Sequence, residues 1–368
     1  MGSVDVDTTQ HALEESTLHM IADRLKKYDG ERDKRLRPDG LDQYVLLSKT
    51  EDPTLRAFTR DPWLNERSDK VTLHDGQTIE HLVLGAGMGG LAAGINFIKS
   101  GVNSDDVYLV DDAGGLGGSW YWNRYPRVSC DIESYVYFPY LEETGYMPKH
   151  NFSYGFEIRA YLESLAARYG LDKNAMYRTK VQSAVWDDSA KRWEVTMLKT
   201  ISSGPPKTIK VRTRFLSFFP GVHVYQKLPA IPGISSYSGQ QFHIARWDYS
   251  VTGGTEEEPV LDKLRDKRVA IIGNGCSGVQ GIAEVAKYAK ELYVMQRTPA
   301  SVDIRDQRPT DPAEWAEISK DPNWWDIRCR NMADTLSGAL KPGEPQLVDD
   351  YTVGVTTYRV VFGGKAEG

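Results

Sequence analysis

Apolar and polar positions change their rhythm twice along this 368-residue chain. Residues 12–36 are dense in mixed charge, with Leu13, Leu18, Ile21, Leu25 and Leu36 at a partial helical spacing. Their Lys and Arg residues are interleaved with acids, so the pattern predicts a solvated helix rather than a basic binding patch. Segment 37–66 reads as turns, a short helix and an extended Pro-containing stretch. From His81 the pattern tightens into a buried strand (His81–Leu84), a glycine turn, an Ala-rich helix ending near Gly101, and a second strand, Val107–Val110. That order is one βαβ unit. Ile158, Tyr161, Leu162, Leu165 and Tyr169 share one face of a helix predicted over 157–170, with Gly170 as its stop. VQSAVWD and RWEVTML read as paired strands, and TIKVRTRFLSFF adds strand up to Gly221. A second βαβ unit starts at Arg268 and ends in the strand LYVMQR. The chain is therefore predicted to be α/β, divided into an N-terminal helical extension (1–80), a first domain (81–221), a second (222–335) and a divergent tail (336–368).

Composition narrows the choice of function. There are 45 Lys+Arg against 51 Asp+Glu, a net charge of −6, which argues against nucleic acid as a partner. Apolar residues make up 40 % and charged residues 26 %, the balance of a globular chain rather than a disordered one. Three scattered cysteines, Cys130, Cys276 and Cys329, give neither a disulfide framework nor a metal cluster and suit a reducing compartment. No apolar run approaches the length of a membrane span and no secretory leader is recognisable, so a cytoplasmic location is expected.

Two glycine clusters carry the chemistry. Gly85-Ala-Gly87-Met-Gly89-Gly90 follows an apolar strand and opens a helix. In that setting Gly85 makes the turn, Gly87 lets a pyrophosphate approach the backbone, and Gly90 lets helix and strand pack closely. Asp111 ends the next strand, where a carboxylate accepts hydrogen bonds from an adenosine ribose. Gly273-Asn274-Gly275-Cys276-Ser277-Gly278 repeats the pattern, but its following strand ends in Arg297-Thr298, which suits a ribose 2′-phosphate. Two Rossmann-like dinucleotide-binding domains of three-layer type, one acidic and one basic at the ribose position, imply FAD in the first and NADPH in the second. Between them, Gly117-Gly118-Ser119-Trp120-Tyr121-Trp122-Asn123-Arg124-Tyr125-Pro126 and the segment from Cys130 to Tyr137 are expected to cover the flavin ring. A third cluster is Tyr237-x-Gly239-x-x-x-His243-x-x-x-Trp247-Asp248. A lone histidine such as His243 is more often structural than catalytic.

Taken together, the double glycine fingerprint, GGSWYWNRYP and Y-x-G-x-x-x-H-x-x-x-W-D resemble the Baeyer–Villiger monooxygenases, whose signature has Phe where this chain has Tyr237. ERDKRLRPDG, WDYSVTGG and QRTPASVD are further similar to a fungal branch that oxidises polycyclic ketones in secondary metabolism. The resemblance implies that NADPH reduces FAD, that oxygen adds as a C4a-peroxide, and that the adduct with a hydrophobic ketone rearranges to an ester or lactone. It places Asp131 as the active-site carboxylate that orients a catalytic arginine. It also gives Gly118, Ser119, Trp120, Tyr121, Trp122, Asp131, Tyr137 and Val181 to FAD, and His243 to an interdomain linker. The remaining partners would be the ketone and molecular oxygen.

The chain departs from the family in four further places. The family's Lys-Arg-Pro segment, source of the catalytic arginine, has no counterpart, and similarity stops near Leu347–Asp350. A chain shortened at its C-terminal side, lacking the strand that returns to the FAD domain, is the expectation. YTVGVTTYRVVFGGKAEG reads as a non-native continuation or as a short strand replacing the lost one. Arg127 stands where glycine usually follows RYP, as a candidate surrogate cation, and Phe219-Pro220-Gly221 replaces a small Ala-Thr-Gly type turn. Rival readings are a flavin enzyme that hydroxylates or oxidises a heteroatom, and a cofactor-binding pseudoenzyme or partner subunit without turnover.

Overall fold

The computed structural model describes residues 6–36, 38–221, 225–297, 302 and 304–348, with side chains from residue 18 onward. Thr298 and the tail from 349 lie outside these residues. A six-stranded sheet organises the first half. Its strands are β2 (Thr78–Leu84), β3 (Val107–Val110), β4 (Ala175–Met176), β5 (Thr179–Asp187), β6 (Arg192–Lys199) and β7 (Lys207–Phe218), in the order β4-β3-β2-β7-β6-β5. β4, β3, β2 and the end of β7 run parallel, with Val83 beside Leu109 and Ser217. A parallel strand is covered on both faces, which is why Leu82–Leu84 and Leu109–Val110 read as unbroken apolar runs.

On one face lie α3 (Met88–Lys99) and α7 (Gly155–Arg168), which bury Leu91, Ile95, Ile158, Tyr161, Leu162 and Leu165. The face predicted for α7 is thus the buried one, apart from a half-buried Tyr169. The other face holds Leu73, Ile79, Val195, Met197, Ile209 and Val211, where the antiparallel β5–β7 ribbon curls over the parallel strands. The second unit pairs β9 (Arg268–Ile272) and β10 (Glu291–Met295) in parallel, with α9 (Cys276–Val285) between them in sequence.

The extension begins with α1 (Val6–Arg35), and its apolar residues Leu18, Leu25 and Tyr28 are exposed, as a solvated helix requires. Further on it clasps the body. β1 (Tyr44–Leu46) pairs antiparallel with β8 (Lys227–Pro229) of the second unit. After the short α2 (Pro53–Arg56), Ser68 Oγ donates to Gly114 O, and the fully buried Lys199 ammonium donates to Ser68 O and Tyr177 O at 2.7 Å each. Burial pushes Lys199 down to about 8. Short turns α4 (Ser119–Trp122), α5 (Ser134–Tyr137), α6 (Leu141–Thr144) and α8 (Tyr249–Thr252) carry the connecting loops. Two closing helices, α10 (Pro312–Ile318) and α11 (Trp324–Ser337), pack on α5 through edge-to-face ring contacts running from Tyr135 to Trp315 to Trp324.

Candidate functional site

The first glycine loop is built as its sequence demands. Gly85 has φ +111, its N–H donates to Val110 O at 2.7 Å, and a Cβ there would lie 2.1 Å from Phe219 O. A Cβ on Gly90 would lie 1.9 Å from Gly85 O, so α3 can start this close to β2 only without one. Gly87, at the N-cap of α3, differs: its φ of −80 suits any residue, and a Cβ would meet nothing nearer than Gly118 Cα at 3.4 Å. The GGSW segment folds back over this loop, with Gly117 N–H donating to Ala86 O at 3.0 Å and Gly118 packed on the Gly87 backbone. Asp111 lies beside the loop, accepting Ala86 N–H at 2.6 Å and Ala113 N–H at 2.8 Å. Burial raises its pKa against those two donors. Val181 is half-buried at an irregularity in β5, two residues beyond Thr179, whose N–H donates to Asp111 O.

The aromatic segment is anchored rather than free. Trp120 Nε1 donates to Tyr137 Oη at 3.1 Å, and Tyr121 Oη donates to Asp61 of the extension at 2.7 Å. Burial raises both phenols, Tyr121 with help from the Asp61 charge. The Arg124 guanidinium lies 4.5 Å from the Trp63 ring centre and 4.8 Å from that of Tyr121, two rings that meet edge to face. Ser119 stays exposed at the mouth of the loop.

The second loop repeats the first. Gly273 has φ +100 and donates to Met295 O, and a Cβ on Gly278 would lie 2.5 Å from Gly273 O. Gly275 caps α9 at φ −67, where a Cβ would meet nothing within 4 Å. Asn274 Nδ2 donates to Gln296 at 2.6 Å, Cys276 is exposed at the first turn of α9, and the Arg297 guanidinium donates to Gln43 of the extension. Ser277 hydrogen-bonds Tyr125 and Gln280 Oε1 accepts Ser129 N–H at 3.0 Å, so the RYP loop is tied directly to the second glycine helix.

Asp131 follows this junction. It is half-buried, and its charge opposes ionisation of Tyr125, Cys130 and Tyr137. The arginine on the backbone just before it is Arg305, which donates to Cys130 O at 3.0 Å and Ser129 Oγ at 2.8 Å. Arg127 turns instead to the Tyr154 ring. Sequence reasoning passed over Asp61, Gln280 and Arg305. No local motif marks them, because each acts on a partner that is distant along the chain.

His243 is structural. Its Nδ1 accepts Ala245 N–H at 3.1 Å and caps the turn Ile244–Arg246. Arg246 then lies 3.4 Å over Trp122, and Ile244 contacts Gly281 of α9, so this motif joins the aromatic loop to the second glycine helix. Burial and the Arg246 charge push His243 down to about 4 from its ordinary 6.5. Between those values the unfolded chain binds a proton that the folded chain refuses, so stability falls as pH drops from 6.5 towards 4. His243→Gln should flatten that acid slope by about 1–3 kcal/mol between pH 7 and 4.5. Urea midpoints at the two pH values measure it, and an unchanged slope would mean that His243 titrates as in the unfolded chain.

Sequence comparison settles the family. A profile described as flavin-binding monooxygenase-like matches residues 83–313. A polycyclic ketone monooxygenase of Thermothelomyces thermophilus is 38 % identical over 361 residues, 96 % of this chain and 55 % of that protein. This chain belongs to the flavin-binding monooxygenase-like family. Within it, a FAD-binding monooxygenase of Penicillium brasilianum is 38 % identical over 92 % of this chain and 53 % of its own length. The solved structure of the Thermothelomyces enzyme superposes with a TM-score of 0.86, covering 91 % of this chain and 54 % of that one. Oxidized steroid monooxygenase bound to NADP gives 0.57 at 32 % identity, over 70 % and 45 %. The chain spans about half the length of the curated relatives it matches.

Proposed function

We propose that the chain binds FAD at Gly85–Gly90 and NADPH at Gly273–Gly278, and serves the oxygenation of a hydrophobic ketone to an ester or lactone. The observation that carries this reading is the middle glycine of each loop. Neither Gly87 nor Gly275 is required by backbone conformation or by packing within the chain, yet each leaves the backbone at a helix N-terminus without a side chain of its own to block an approaching group. A dinucleotide pyrophosphate is the group that needs such an approach. The relatives' names supply the rest: a polycyclic ketone monooxygenase, FAD-binding monooxygenases and an NADP-bound steroid monooxygenase.

When bound, FAD would accept a hydride from NADPH and activate oxygen for insertion beside the carbonyl. The chain's own residues do the placing. Gly118 and Ser119 close over the first loop, and Asp111 orients its edge. Trp120, Tyr121, Trp122 and Tyr137 form a wall held by Asp61 and Arg246 that excludes water. Asp131, next to the Arg305-held backbone, is the carboxylate we assign to the reaction centre. Asn274, Cys276, Ser277 and Gly278 shape the second cradle, and Arg297, exposed at its rim, is the cation for a 2′-phosphate. Thr298 falls outside the described residues.

Gly275→Ala tests this directly. The variant should unfold within about 1 °C of the parent and keep its flavin. NADPH should then bleach the flavin's visible absorbance under anaerobic conditions with a half-saturating concentration raised at least about tenfold. An unshifted NADPH dependence would sink the assignment of the second loop. One observation favours cofactor binding without oxygenation of a ketone: the edge of β7 turned away from β2 has no strand partner beyond Thr213 among the described residues, and Phe215 and Phe218 are exposed there. NADPH consumption that releases hydrogen peroxide at every turnover, with no oxidised ketone, is its signature.

A further inference from the structure

A cleft of about 450 Å3 opens between the RYP loop and α9, on the flank of α9 away from its glycine turn. Its lining includes Arg127, Tyr154, Gln280, Glu284, Lys287 and Arg305. Three of these side chains are cationic and one is anionic. The anion, Glu284, is paired with Lys287 at 2.7 Å, so a positive excess remains. The walls are fixed. Arg305 is held by Cys130 O and Ser129 Oγ and lies over the Phe152 ring at 5.1 Å, and Gln280 is held by Ser129 N–H.

Arg127 gives the cleft its meaning. Its backbone sits at φ +58, in the left-handed region, which costs a non-glycine residue about 1 kcal/mol. The side chain is exposed, so core packing does not require an arginine there. Its guanidinium carbon lies 5.3 Å from the centre of the Tyr154 ring, which also lines the cleft, so the cation is held at the cleft wall. Backbone strain at an exposed arginine that lines a cleft with two other cations is the observation from which a ligand is inferred.

We propose that Arg127, Lys287 and Arg305 form a site for an anionic group, a carboxylate or a phosphate, that bridges the loop preceding Asp131 and helix α9. Guanidinium forks match the paired oxygens of either group, and the ammonium adds a point charge. Because Arg305 also holds Cys130 O, an anion bound here draws the Asp131 loop onto the second domain. This inference stands on the cleft and does not depend on the flavin reading.

Thermal unfolding of the purified protein, titrated with inorganic phosphate and separately with citrate at constant ionic strength, tests it. The expected result is a saturable rise in Tm, and the tighter of the two probes identifies phosphate or carboxylate as the preferred chemistry. Arg127→Gly, which relieves the backbone strain, should keep the anion-free Tm and shift the titration midpoint at least tenfold. Lys287→Gln should shift it in the same direction, and Arg297→Gln, at the nucleotide rim, should not. No saturable response overturns the proposal. So does a response undiminished in Arg127→Gly and Lys287→Gln, or one lost in Arg297→Gln.

Discussion

Replacing Gly90 with alanine should empty the first nucleotide site while leaving the second intact. The added Cβ would stand 1.9 Å from Gly85 O and 2.9 Å from its carbonyl carbon, and both atoms are backbone. Nothing flexible can give way, because Gly85 is itself pinned by its N–H bond to Val110 O and by Phe219 O on its other side. Relief requires α3 to lift off β2, which opens the packing of Leu91 and Ile95 and moves the helix N-terminus away from the phosphate position. Flavin retained after purification should fall below about a tenth of the parent value, the equivalent of more than about 1.4 kcal/mol of binding. Gly89→Ala is the control. Its Cβ would meet only the Phe219 ring edge at 3.1 Å, a side chain that can rotate, so most of the flavin should remain. Full flavin retention in Gly90→Ala would show that the loop is not the cofactor cradle.

The second large effect lies at Arg328. Its Nε and Nη2 donate to the two Glu133 oxygens at 2.7 and 2.6 Å, and both residues are buried. This bidentate pair links α11 to the N-cap of α5, two residues beyond Asp131. Arg328→Met would leave the Glu133 carboxylate buried without the guanidinium, and breaking one half of such a pair costs about 3–5 kcal/mol. The Tm should drop by roughly 5 °C. Removing both charges is often close to neutral, so Glu133→Gln combined with Arg328→Met should recover most of the loss. A single variant as stable as the parent would show that the carboxylate is solvated.

The βαβ units, the paired strands and the buried face of α7 were legible because each is a local pattern. Strand runs, glycine turns and a 3.6-residue repeat are fixed by neighbours in sequence. The junction was only half legible. The motif around His243 marks where it is, but its bond to Ala245 N–H, the Arg246–Trp122 stack and the Ile244–Gly281 contact appear only when two distant segments meet. Asp61 and Gln280 carried no signal at all. An acid in a loop and a glutamine on a helix look like surface residues until Tyr121 and Ser129 are brought to them.

Arginines show the division most plainly. From sequence, Arg127 was the candidate surrogate cation, since it replaces a glycine beside the flavin loop. Tertiary structure turns it towards Tyr154 and sets Arg305, about 175 residues further along, on the backbone before Asp131. The sequence by itself determined the two nucleotide folds and their order, because hydrophobic period and glycine spacing are properties of neighbouring residues. Which charge faces which group was decided by tertiary structure alone. A long side chain on a loop takes its direction from the surfaces that close around it, and those come from the far end of the chain.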